Sequence, residues 1–483
     1  MKENSLLLRR CPLRENQLRR QAALAWIIGV ACACAGCVST PLPDLHVALP
    51  PQWQHLAPGA TTSAPGPDPD RWWEAFADPR LNAIVDDALA ANLDLAQAAA
   101  RLRAARALHR RADAPLRPNL HFRTSDPVDP DANASYLVAG FDSAWELGLF
   151  GRSTAIHRIA NADLATAKAD LREAQVSVPA EVSREWITLR AAQQRDTLLS
   201  RIRDLRAEQA RLTGERLRLQ LATPQQAAQA QAAVVQAEAA IAEPREAVAA
   251  SAQALAVLLG RSEPDPAWLQ PGKLPRLGEA SVSSAPADLL RTRPDVARDQ
   301  AAVVRAAGEL GIAKADRYPS LAIGGSIVAS VSEAERVNTK PGAIGSFGPI
   351  IDIPLFDWGL RRAQADAKGE ILQAAALAYR KTVLTAVGEV ETALVALEQQ
   401  RLRELASAQA WQALSDVAVR TEHRHHLNLA SGLDSDASDA DRAQAELELA
   451  LVRTSRAIDY IALCKALGGS PGPGMTAATD GGR

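Results

Sequence analysis

The 483-residue chain carries 54 basic and 56 acidic side chains, a net charge of −2 with both signs mixed throughout, which excludes the one-sided basic footprint of a nucleic-acid binder. Hydrophobic residues make up 47% of it, enough for more than one core. Beyond the first forty residues no apolar run approaches the roughly 20 residues of a membrane helix, so any crossing must be made by strands.

Residues 1–36 read as a secretory signal peptide. Arg9, Arg10, Arg14, Arg19 and Arg20 form a basic stretch relieved only by Glu15, and the 14-residue apolar run from Ala22 to Ala35 follows. The run ends in Ala35-Gly36-Cys37, which resembles the lipobox of bacterial lipoproteins, with Cys34 where a leucine is usual. That resemblance implies acylation of Cys37 and a lipid anchor; the alternative is ordinary cleavage near Cys37 and a soluble periplasmic protein. On that reading, of the five cysteines Cys11, Cys32 and Cys34 would leave with the signal and Cys37 would be capped. Cys464 alone remains, which forbids an internal disulfide and starves any zinc or thiol-redox site. Residues 37–78 are expected to be an extended, lipid-anchored segment in which Trp72 and Trp73 wedge against helices.

The rest of the chain is written twice. Residues 98–120 align with 299–321, placing Pro118 against Pro319 at an offset of 201. Leu149-Phe150 then aligns with Leu355-Phe356 at 206, and the segments ending at Gly260 and near Gly468 at about 208. The predicted repeats are 79–260 and 291–469, joined by a connector at 261–290 and followed by a tail at 470–483. Each repeat reads helix, proline, two strands, long helical hairpin.

The strands are placed at about 118–150 and 319–356 by period-two alternation. Leu321, Ile323, Gly325, Ile327, Ala329 and Val331 take odd positions, with small or polar residues between them. The partner strand runs to Leu355; in the first repeat Leu137 to Leu149 alternate likewise, past Gly148. One face is apolar and the other small or charged, as lipid and a wet lumen require. The hairpins are placed at about 153–260 and 359–468. After Gly359 there is no proline until Pro471, and Val383, Val387, Val390, Leu394 and Leu397 follow 4-3-4-3 heptad spacing. The turn falls near Ser431-Gly432, giving a longer arm of about 100 Å. Pro179 and Pro244 are expected to kink the first hairpin.

These features resemble the TolC-like outer-membrane efflux family, in its NodT- and OprM-type lipoprotein branch. The resemblance rests on DRWWEAFADPRLNAIVDDALAANLDL at 70–95, SAWELGLFGR at 143–152, RTRPDVARDQAAVVRAAGELGIAKADRYPSL at 291–321, PLFDWG at 354–359 and ALCKALGG at 462–469. It implies a mainly α fold with a membrane β-barrel, formed by a homotrimer with a 12-stranded barrel and a 12-helix periplasmic tunnel. Four strands cannot close a barrel alone, since single-chain bacterial barrels start at about eight. The implied function is the passive exit duct of an RND-type efflux pump in the outer membrane. Its partners would be a periplasmic adaptor, an inner-membrane RND-type transporter and outer-membrane lipid. A protein-secretion duct and a poreless periplasmic coiled-coil scaffold are the alternatives.

By the same resemblance, Asp441 falls at the family's periplasmic gate, with Asp436 and Asp439 as neighbours, and Gly432, Leu433, Gln220 and Leu221 form the adaptor-docking tips. Capping and turn formation would equally account for Asp, Ser and Gly here. Gln220 stands where a turn glycine is usual, and Gly148 where an aspartate is common. Trp145 reads either as an interface-belt aromatic or as a packed core residue. His423, His425 and His426 precede the turn, but His425 and His426 cannot share a helix face, which disfavours a metal site. No catalytic constellation, cofactor motif or metal motif is recognisable.

Overall fold

The computed structural model describes residues 40–55, 71–125, 136–278, 288, 292–332 and 342–469. The signal region, Cys37 and the tail lie outside them. The described chain falls into two compact units, one comprising Met1–Asp44, Arg106–Asp163 and Ala301–Ala376, the other Leu45–Ala105, Leu164–Gln300 and Leu377–Arg483.

The first unit holds the sheet. Pro118 and Pro319 each sit immediately before a strand, β1 (Asn119–Ser125) and β3 (Ser320–Ser332), because a residue preceding proline is steered out of the helical region. With β2 (Tyr136–Glu146) and β4 (Gly342–Asp352) they form one antiparallel sheet in the order β1-β2-β3-β4. Phe122 pairs with Phe141, Phe141 with Ile327, and Ile327 with Gly345. The period of two therefore gathers Leu120, Phe141, Trp145, Ile323, Ile327 and Phe347 on one face, most of it exposed. The opposite face carries His121, Asp142, Ser326 and Ser346 in one row across all four strands, with Val328, Ile344 and Ile350 among its apolar exceptions. At 11, 13 and 11 residues, β2, β3 and β4 are long enough to cross hydrocarbon, which takes about 9–11. No described helix is long and apolar enough to do so.

The strands stop sooner than their alternation suggests. Leu147 and Leu149 lie beyond β2, where Gly148, Phe150 and Gly151 adopt left-handed backbone, and Ile353 and Leu355 lie beyond β4, where Pro354 cannot donate to a ladder.

The remaining elements are the short 3-10 helices Trp72–Phe76, inside the segment expected to be extended, and Ala114–Leu116, and the α-helices α1 (Pro79–Ala91), α2 (Leu93–His109), α3 (Arg152–Arg218), α4 (Pro224–Ala240), α5 (Ala242–Leu258), α6 (Pro294–Ala315), α7 (Leu360–His426) and α8 (Gly432–Ala466). α3 and α7 have 67 residues each, about 100 Å at 1.5 Å per residue. From residue 150 onward the two halves keep one register. Left-handed residues recur as Phe150 and Trp358, Gly151 and Gly359, Gln220 and Asn428, Gly260 and Gly468, every pair 208 apart. This shifts the aromatic alignment by two residues, because the backbone matches Phe150 to Trp358 and not to Phe356.

The prolines act differently from each other. α3 runs through Pro179 without interruption, whereas the return arm breaks at Ile241, between α4 and α5. Pro244 lacks the N–H that would bond the Ala240 carbonyl, so the break falls one turn before it.

The second unit packs its main core around Trp186, with Trp72, Trp73, Phe76, Leu255, Trp268 and Tyr460. Trp72 meets Trp73 and Tyr460 edge-on at 5.7 and 6.2 Å, so the tandem tryptophans are buried against α8. Asp78 caps α1 through the Arg80 N–H and also accepts the Trp186 Nε1–H at 2.8 Å. The heptad residues Val390 and Leu394 of α7 pack with Leu463 of α8 and with Trp53, with Val387 and Leu397 against them, and Val383 is buried. Leu198 and Ile202 of α3 meet Ala443 and Leu447 of α8.

Trp186→Ala empties the largest wholly buried side chain and removes its bond to Asp78. A loss of about 3–5 kcal/mol is expected, read as a fall in the melting temperature of the detergent-solubilised protein, with Trp186→Phe intermediate. An unchanged melting temperature would show that this core does not hold the unit.

Candidate channel gate and hairpin tips

The two hairpin tips are built alike. Leu219-Gln220-Leu221-Ala222-Thr223 joins α3 to α4, and Leu427-Asn428-Leu429-Ala430-Ser431 joins α7 to α8. Each leading helix ends in the same two bonds. Leu221 N–H reaches Arg216 O at 2.7 Å and Gln220 N–H reaches Leu217 O at 3.0 Å; Leu429 N–H reaches Arg424 O and Asn428 N–H reaches His425 O, both at 2.8 Å. This arrangement needs one left-handed residue after the helix, supplied by Gln220 (φ 61°) and Asn428 (φ 59°). Each following helix opens with a capping box, Thr223 with Gln226 and Ser431 with Asp434.

The turn is therefore not at Gly432. That glycine is the first residue of α8 and matches Pro224, while Gln220 matches Asn428; no glycine is missing from the first tip. Asparagine tolerates the left-handed region through its short polar side chain, and sequence spacing alone cannot tell it from a turn glycine four residues on. Leu433 is half-buried, whereas Leu219, Leu221, Leu427 and Leu429 stand 55–68% exposed, two apolar side chains at each tip.

The three aspartates occupy distinct settings. Asp439 meets Arg442 at 2.9 Å and Arg201 of α3 at 3.9 Å, an ion-pair cluster tying the two hairpins together. Asp436 is half-buried; burial holds its carboxyl above the ordinary aspartate range, and the charges of Glu208 and Asp439 push the same way. Asp441 is exposed and has no ion pair among the described residues. Arg442 follows Asp439 at helical i,i+3 spacing, whereas Arg201 is a contributor that spacing does not reveal, because it lies more than two hundred residues from the acid it approaches.

The histidines enter this network through Glu422. His426 Nε2 lies 2.9 Å from Glu422 Oε1, and Ser435 Oγ donates to Glu422 Oε2 at 2.6 Å, which lowers the glutamate's pKa. The His425 and His426 rings sit 6.1 Å apart. Among the described residues no group of three His, Cys, Asp or Glu side chains is placed to hold a metal ion.

In the first unit, Trp145 is part-exposed on the apolar face, its Nε1–H donated to Leu116 O at 2.8 Å. An amphipathic ring with its polar edge satisfied by backbone suits the margin between lipid and water. Gly148 has φ 58°, a left-handed geometry that glycine adopts without strain, and a Cβ there would stand 2.6 Å from Leu116 Cδ2.

A sheet apolar on one broad exposed face and polar on the other, in a chain of duplicated 67-residue helices, defines a subunit of a barrel-forming membrane channel. The chain belongs to the outer membrane efflux protein family, whose model matches residues 84–261 and 285–469. It is 27% identical over 466 residues to the pyoverdine export outer membrane protein OpmQ of Pseudomonas aeruginosa, covering 91% of this chain and 95% of that one. Nodulation protein T of Rhizobium leguminosarum bv. viciae is 28% identical over 442 residues, covering 89% and 88%. Its fold superposes on the outer-membrane channel OprN with a TM-score of 0.73 at 26% identity, covering 89% of this chain and 99% of that one. The protein is an outer-membrane efflux channel component with a TolC-like fold.

Asp436→Asn tests the tip electrostatics. A carboxyl whose folded pKa is raised binds its proton more tightly when folded, so its ionised form weakens the fold above that pKa. The variant should melt higher than the parent at pH 7, and the gain should vanish as pH falls below the ordinary aspartate value of 3.8. A lower melting temperature at pH 7 would contradict the burial argument.

Proposed function

We propose that three copies of this chain form the outer-membrane duct of a tripartite efflux pump, anchored by acyl groups on Cys37 and docked through its hairpin tips to a periplasmic adaptor beneath an inner-membrane RND-type transporter. The observation that carries this reading is the open sheet. Its edge strands β1 and β4 would each leave backbone groups unpaired in hydrocarbon, where every unpaired group is costly. Threefold pairing of β4 with the next copy's β1 gives twelve strands and removes every edge. Transport through such a barrel is passive, and the driving energy belongs to the pump.

The gate is assigned to Asp441, with Asp436 and Asp439 beside it. Three copies of Asp441 around an axis would present a ring of carboxylates that attracts cations. Docking is assigned to the leucine pairs Leu219–Leu221 and Leu427–Leu429, together with Gln220, Gly432 and Leu433. Exposed apolar residues presented on rigidly capped turns suit a partner that buries them.

Reconstitution into a planar bilayer tests the duct and the gate together. The purified protein should insert as a trimer and conduct, and Asp441→Ala should raise single-channel conductance. A monomer without conductance would overturn the duct, whereas unchanged conductance in the variant would remove Asp441 from the gate and leave the duct standing.

The anchor is tested separately. Labelled palmitate should enter the parent protein in a Gram-negative host and be absent from Cys37→Ser, which should still reach the outer membrane because the barrel alone holds it there. Label retained in Cys37→Ser would disprove the anchor.

A further inference from the structure

Arg190 of α3 is only 2% exposed, and its hydrogen-bond partners among the described residues are all neutral. Its guanidinium lies over the Trp186 ring at 4.1 Å. Its Nη1 donates to Gln193 Oε1 at 2.6 Å and to Gln270 O at 2.8 Å, both neutral acceptors. Its Nη2 is buried with no hydrogen-bond partner. A cation taken out of water without an anion is costly, and an unbonded N–H adds to that cost.

The surroundings do not supply the missing charge. Arg190 lines a cleft of about 960 Å³ in the second unit, together with Arg80, Lys273, Arg276 and Arg453. Two acids face them, Asp78 and Glu446. Asp78 is already engaged, one oxygen accepting from the Arg80 N–H and the other from Trp186 Nε1. The Arg80 charge opposes that of Arg190, and with burial as the larger cause it lowers the Arg190 pKa. The connector backbone is drawn onto the same group, since a Cβ on Gly272 would stand 2.6 Å from Arg190 Nη1. Arg453 is paired with Glu404 at 2.9 Å, which leaves Arg80, Lys273 and Arg276 beside a buried guanidinium whose second amino group is unbonded.

We propose that this cleft binds a phosphate-bearing anion, held by Arg190 from below and by Arg80, Lys273 and Arg276 around it. Phosphate offers several oxygens at the spacing of guanidinium N–H groups and a charge that offsets more than one cation. Phe76, Leu274, Pro271 and Pro275 line the same cleft, and an apolar wall strengthens each charged hydrogen bond by lowering the local dielectric. Free phosphate and a lipid headgroup share this chemistry. The site is independent of the gate and of the docking tips.

Isothermal titration of the full-length protein in phosphate-free buffer and detergent provides the test, with inorganic phosphate as the probe. One saturable site per chain is expected, weakening as NaCl is raised. The double substitution Arg80→Gln with Lys273→Gln, both exposed and outside the core, should weaken binding about tenfold through lost charged hydrogen bonds. Arg190→Lys keeps the charge and loses the fork, and should weaken it further. Competition by dihexanoyl phosphatidic acid would identify a lipid headgroup as the occupant; its failure to compete would identify free phosphate. Absence of saturable binding, or equal affinity in the double variant, would overturn the proposal and leave Arg190 as a clamp on the connector.

Discussion

Hydrocarbon offers a peptide group nothing to bond with, and this constraint governs the rest of the molecule. A four-stranded sheet facing lipid satisfies its interior ladders but leaves two edge strands, β1 and β4, with an unpaired side each. The alternation of its side chains sets which face meets lipid, so a one-residue slip would turn Phe141, Ile327 and Phe347 toward the polar side. Close backbone approach sharpens the register. A Cβ on Gly140 would stand 2.5 Å from Ile327 O, leaving β2 no freedom to carry a larger residue there. Strand length, face chemistry and glycine placement thus all serve one pairing pattern, and that pattern is incomplete in a single chain.

Duplication explains how the helical part is specified. Four left-handed backbone positions recur at one offset of 208, and each marks the start or the end of a helix. Helix termini expose unsatisfied N–H and C=O groups, so their caps tolerate less change than the surfaces between them. Those surfaces have diverged. The first return arm breaks at Ile241 and buries Val234 in α4 and five side chains in α5, while α8 runs unbroken for 35 residues and buries twelve.

Much of this was legible in the sequence because it depends on periodicity and on proline. Alternation placed the strands, heptad spacing placed the α7 core, and Pro118 and Pro319 marked the strand starts. The misplacements share one cause, that chain reversals are set by backbone conformation, which several residue types can adopt. Gly432 looked like the turn and is a helix start; Gln220 looked like a substituted glycine and matches Asn428. Phe356 looked like the partner of Phe150, although the backbone chooses Trp358. Interactions between distant segments were illegible for a different reason. Arg190 binds the connector through backbone carbonyls, and a carbonyl leaves no trace in a sequence.

The tip electrostatics distinguish the three aspartates by how much of each charge is left over. Asp439 is neutralised within the chain by Arg442, with Arg201 near enough to add to it. Asp436 resists ionisation because burial and neighbouring acids both oppose its charge. Asp441 is exposed and stands outside the ion-pair cluster. A carboxylate ring needs such residues, since a charge already paired within its own chain contributes little field at an axis. The Arg201–Asp439 contact then acquires a second role, joining α3 to α8 close to the residue assigned to the gate. If the tip is the gate proposed above, an opening that moved one hairpin against the other would have to break or carry along this ion pair, and the contact that joins the hairpins would resist it.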